Sequence, residues 1–78
     1  MDEVRRVMLQ MALEQIENVK NTVQTARADE TEYRDGLPEE VRGTVIYKAS
    51  DNAVGYLTES YAFLRLAAEH VEKAANEQ

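Results

Sequence analysis

Apolar residues recur at helical spacing in two long runs. In the first, Leu9, Ala12, Ile16, Val19, Val23 and Ala26 step by three and four residues, a heptad-like seam that predicts an amphipathic helix over about residues 2–28. Asp2 and Glu3 at its start and Lys20 and Arg27 toward its end agree with the helix dipole. In the second run Ile46, Ala49, Ala53, Leu57, Leu64, Ala67, Val71 and Ala74 share a face, which predicts a helix over about residues 44–75. The pattern specifies an all-α protein, an antiparallel two-helix hairpin in a single domain.

The connector, residues 29–43, carries the breakers. Gly36 permits a positive φ, and Pro38 supplies a first-turn φ where its missing N–H would be unpaired anyway. Glu39 and Glu40 follow in a position that favours carboxylates, so a short helical turn is expected over 38–42, ended by Gly43. Thr44 offers a hydroxyl as N-cap of the second helix. The residue three positions later is Tyr47 rather than Glu or Gln, which leaves the capping box incomplete. Ser50 and Asp51 form a competing start site, so a break of the second helix near residue 50 is a further expectation.

Each run carries more apolar residues than one seam requires. Val4, Val7, Met8, Met11 and Leu13 lie off the line through Leu9 and Ile16; Tyr47, Val54, Tyr61 and Ala68 make a second line beside Leu57, Leu64 and Val71. A lone hairpin is expected to leave Val4, Met8, Met11, Tyr47, Val54 and Tyr61 against water, and an apolar patch of that kind marks a protein interface. Two hairpins packed together make a four-helix bundle with helices crossing at about 20°. The leading expectation is therefore a homodimer, with a higher oligomer or a larger partner protein as alternatives. Ala49, Ala53 and Ala67 let another helix approach closely. Gly55, which costs roughly 1 kcal/mol relative to Ala inside a helix, is expected to mark a close contact or a bend.

With 78 residues the core must be thin, and with no cysteine it has no disulfide or thiolate metal site to reinforce it. That composition fits a reducing compartment. The N-terminus enters directly into an amphipathic pattern, and no apolar run approaches the roughly 18 residues needed to span a bilayer, so no membrane segment and a cytoplasmic location are expected. The net charge of −6 lacks a basic face for phosphate and argues against nucleic acid. Residues 1–28 carry four acids and four bases, residues 29–43 six acids and two bases, and residues 44–78 five acids and three bases. Asp29, Glu30, Glu32, Asp35, Glu39 and Glu40 thus concentrate the excess at one acidic tip, read as solvated charge ahead of a docking surface for a basic partner.

No constellation for chemistry can be assembled. The residue three before the only histidine, His70, is Ala67, so the Glu-x-x-His motif of di-iron bundles is missing. The twelve residues from Asp29 to Glu40 begin and end as a calcium loop does, but Arg34 stands where the turn needs glycine. Arg65 and His70 show the Arg-x-x-x-x-His spacing of helical HEPN-class nucleases without a polar cleft around them. There is no Gly-rich phosphate loop, Ser–His–Asp set or cysteine nucleophile. Glu17 with Lys20 and Glu69 with Lys73 read as ordinary same-helix pairs. No catalytic residue, metal or cofactor is expected, and the chain reads as a non-enzymatic, self-associating interaction module: a small regulator, adaptor or phage-type inhibitor. The alternative is a small or nucleotide-like ligand held at a bundle interface, with Tyr56, Arg65 and His70 as contacts beside Tyr47 and Tyr61.

Asp29-Glu30, followed by Leu37-Pro38-Glu39 and Gly43 between two helices, resembles the layout of small bacterial and phage proteins of unknown function with a helix, a DE…LPE loop and a second helix. The resemblance covers most of the chain and implies the hairpin form and a mobile-element origin; it supplies no activity. Those proteins usually have a more acidic second helix, whereas Tyr56, Tyr61, Phe63 and Leu64 make this one more apolar.

Overall fold

The computed structural model describes residues 1–77. Helix α1 (Glu3–Gly36) leads through a 3-10 turn (Glu39–Val41) into helix α2 (Val45–Ala75), which packs back along α1. The Cα trace measures 59 × 14 × 12 Å, a rod two helices wide. Asp2 caps α1 by accepting the Arg5 N–H at 2.8 Å. At the same end the Arg6 guanidinium donates to the Ala75 carbonyl at 3.2 Å, supplying a cation and a donor to the C-terminus of α2.

Helix α1 runs past the expected end at residue 28 and takes in Asp29–Gly36. No Gly or Pro interrupts Asp29–Asp35, and Arg34 stands in the last turn, where a cation suits the dipole. Four of the six acids assigned to the connector, Asp29, Glu30, Glu32 and Asp35, are thus helical, as is the Asp29-Glu30 pair of the loop resemblance. Gly36 ends the helix without a positive φ; among the described residues the left-handed conformation belongs to Gly43, at φ 88°. The 3-10 turn lies inside the expected 38–42, and the Thr44 hydroxyl accepts the Tyr47 N–H at 3.5 Å as the α2 cap. Helix α2 is unbroken at residue 50: Ser50 is buried, and its hydroxyl donates to the Glu30 carbonyl at 3.5 Å.

The helices meet along two regular lines. On α1 Arg6, Leu9, Leu13, Ile16, Lys20, Val23, Arg27, Glu30 and Arg34 are half-buried and alternate steps of three and four, with Ala12 and Thr31 half-buried beside this line. On α2 Tyr47, Ser50, Val54, Leu57, Tyr61, Leu64, Ala68, Val71 and Ala75 do the same. Leu9, Ile16 and Val23 thus belong to the seam as expected and Ala12 is half-buried at its edge, but Leu13, Lys20 and Arg27 accompany them while Val19 and Ala26 are exposed. On α2 the companions of Leu57, Leu64 and Val71 are Tyr47, Val54 and Tyr61; Ala53 and Ala74 are half-buried as expected, while Ile46, Ala49 and Ala67 are exposed. Long basic side chains lay aliphatic stems along an apolar seam and keep their charged ends outside it, and here they meet tyrosine rings. The expectation that Tyr47, Val54 and Tyr61 are left to water in a lone hairpin is corrected: all three are half-buried against α1.

Candidate functional site

The seam divides the remaining surface of the rod into two unlike flanks. Antiparallel helices that share a heptad seam bring equivalent flanking positions to the same side. One flank carries Glu3, Gln10, Glu17, Gln24 and Thr31 from α1 with Asp51, Thr58, Arg65 and Glu72 from α2. It includes an open groove lined by Gln24, Arg27, Thr31, Arg34, Val54 and Thr58. The opposite flank carries Arg5, Ala12, Val19, Ala26 and Tyr33 with Ile46, Ala53, Ser60, Ala67 and Ala74. Arg5 is its one charge. Val19, Tyr33 and Ile46 stand 48%, 52% and 59% exposed there.

Exposed apolar side chains follow the same division. None of the twelve exposed large apolar residues lies on the charged flank. Met8, Tyr56 and Phe63 border the uncharged flank, Val4, Met11, Val45 and Leu66 lie on the adjoining outer lines, and Val7, 44% exposed, borders the charged flank beside Glu3 and Gln10. Val4, Met8 and Met11 are thus uncovered near the start of α1, as expected from sequence.

Electrostatic contacts gather on the charged side. Lys20 pairs with Glu17 at 3.3 Å while its ammonium sits over the Tyr61 ring. Arg34 bonds Asp35 at 3.0 Å and Asp51 at 2.9 Å. The hydrogen bond to Asp35, and then the charges of Asp35 and Asp51, raise its already high pKa. Arg34 also ties the acidic end of α1 to the first turns of α2, so Asp29, Glu30, Glu32, Asp35, Glu39 and Glu40 remain at one end of the rod. Glu69 pairs with Arg65 at 4.0 Å rather than with Lys73.

The residues considered for ligand contact are not brought together. Tyr47 and Tyr61 face the seam, Tyr56 and His70 lie with Phe63 on the line of α2 that borders the uncharged flank, and Arg65 lies on the charged flank. Tyr56 and His70 are separated by 14 residues of helix, about 21 Å of rise. His70 Nδ1 lies 2.9 Å from the Leu66 carbonyl of its own helix. Arg65 and His70 do not face a common cleft. Among the described residues no group of three or more His, Asp or Glu side chains is placed to hold a metal, and no helix is long and apolar enough to cross a membrane.

Comparison with family models, with curated proteins and with solved structures gives no match. The feature that sets one surface apart is therefore physical: the uncharged flank. It was not recognised from sequence because Ala12, Val19, Ala26, Ala53 and Ala67 read as core. The signal that finds it is the single charge in that line.

Proposed function

We propose that the protein is a non-enzymatic helical interaction module that works as a pair of hairpins assembled into a four-helix bundle. The observation that carries this reading is the surface area. The chain exposes 5895 Å², whereas a compact monomer of its mass exposes about 4,800 Å². The excess of about 1,100 Å² per chain, taken over two chains, falls in the range buried by homodimers, which begins at about 2,000 Å². Burial points the same way: among the described residues the buried ones are the small Ala75 and Ser50, and no large side chain is fully buried.

The paired hairpins would leave the Val4, Met8 and Met11 end and the acidic tip as contact surfaces for another protein, the role of a small regulator, adaptor or phage-type inhibitor. Methionines suit such a surface because their flexible side chains adapt to different partners. Light scattering over a concentration series tests the assembly. The expected mass is twice the 8.9 kDa of one chain, with dissociation on dilution; a single-chain mass at every concentration overturns the reading.

A further inference from the structure

We infer that a second copy of this chain covers the uncharged flank in a tip-to-tail arrangement, with the dyad passing beside Val19. This rests on the self-association proposed above and adds which face is used and in which orientation.

The choice of face follows from desolvation. Closing two copies over the opposite flank would remove Glu3, Glu17, Asp51, Arg65 and Glu72 from water, and desolvating charges is costly even where, as for Glu17, Asp51 and Arg65, each has an ion-pair partner. Closing them over the uncharged flank covers Val19, Tyr33 and Ile46, which are about half exposed. The alanines between them allow close approach of the backbones. Only Arg5 carries charge on that surface, and its side chain is 74% exposed beside Asp2.

The choice of orientation follows from charge and length. Two face-to-face hairpins related by a two-fold axis have two options. With the axis along the rod, both connectors lie at one end. Each connector, residues 29–43, has six acids against two bases, so this option sets two acidic tips together. With the axis across the rod, each tip lies at the far end of the bundle from the other, and α1 runs antiparallel to its own copy. Val19 stands at the middle of Glu3–Gly36, so an axis beside it gives overlap along the whole helix. Positions equally far from Val19 then meet: Ala12 with the partner's Ala26, and Arg5 with the partner's Tyr33. The lone charge of the flank is thereby set against an aromatic ring at the acidic end, where a cation is favoured.

The chain has no cysteine, so a single introduced thiol reports the arrangement in the full-length protein. Under mild oxidation Val19→Cys is expected to form a disulfide-linked dimer, and Gln24→Cys on the charged flank is not. Val19→Glu is expected to weaken the dimer by about a hundredfold or more, with helical circular dichroism retained, while Gln24→Glu leaves the mass unchanged. A Val19→Glu protein that dimerises like the parent overturns the assignment of the face. A dimer sensitive to Val19→Glu in which Val19→Cys does not cross-link overturns the orientation, because the other option sets Val19 over the partner's second helix. A parent protein that is a single chain at all concentrations overturns self-association itself and this inference with it.

Discussion

The ammonium of Lys20 lies 5.5 Å from the centroid of the Tyr61 ring, across the seam between the two helices. The Arg27 guanidinium carbon lies 5.4 Å from the same ring. One tyrosine therefore receives two cations that stand seven residues apart on α1, and its ring supplies the apolar surface on which their stems rest. Such contacts contribute about 0.5–2 kcal/mol each, depending on how far the cation is desolvated, and the Lys20 side chain is only 15% exposed. Tyr61→Phe keeps the ring face and should change stability little. Tyr61→Leu keeps an apolar side chain but loses both cation contacts and part of the ring's packing area, and should cost at least about 1 kcal/mol more than Tyr61→Phe in urea denaturation.

Gly55 occupies an open position. A methyl group built there meets nothing within 4 Å, so the expected close contact is not made. Gly55→Ala should stabilise the protein by about 1 kcal/mol through helix propensity alone. The midpoint of thermal unfolding, followed by circular dichroism, should rise by roughly 4–8 °C; a fall would mean that another chain approaches the backbone at this point.

The hairpin and its two helices were legible in the sequence because apolar spacing near 3.5 residues is local information. The rotation of each helix was not. A search for the most apolar seam selects Val19 and Ala26 beside Leu9, Ala12, Ile16 and Val23, whereas the fold exposes those two and uses Leu13, Lys20 and Arg27. The reason is the dual character of lysine and arginine, whose stems pack where their charges cannot. The extension of α1 to Gly36 was hidden for a related reason: a run of acids reads as connector, yet it contains no breaker before Gly36. The excess apolar surface was legible; its division into flanks required the correct seam.

The turn before α2 depends on two adjacent residues. Gly43 has φ 88°, a conformation that costs L-residues roughly 1–2 kcal/mol, and Thr44 caps the following helix. Gly43→Ala should destabilise by that amount although space for the methyl group is open. Thr44→Ala should cost about 1 kcal/mol, and Thr44→Asp should recover it.

Arg34 holds its proton more tightly in the fold than in the unfolded chain because of Asp35 and Asp51. A cation with a raised pKa contributes stability that is fully present below the unfolded value and is lost only as pH rises through the folded one. Because an arginine already holds its proton far above this range and the two acids raise its pKa further, the stability difference between the parent and Arg34→Met should be flat between about pH 7 and 10. It should shrink with added salt, since both acids are more than half exposed. Chemical denaturation of both proteins across that range checks the sign; a difference that disappears within it would contradict the assignment.

The central claim is that two hairpins lie side by side along their length, and small-angle X-ray scattering of the parent protein tests it most directly. The account predicts a particle of two chains that keeps a length near 59 Å while its cross-section becomes two helices deep in both directions. Scattering from a single 8.9 kDa chain, with the radius of gyration near the hairpin's own 17.6 Å, would contradict it.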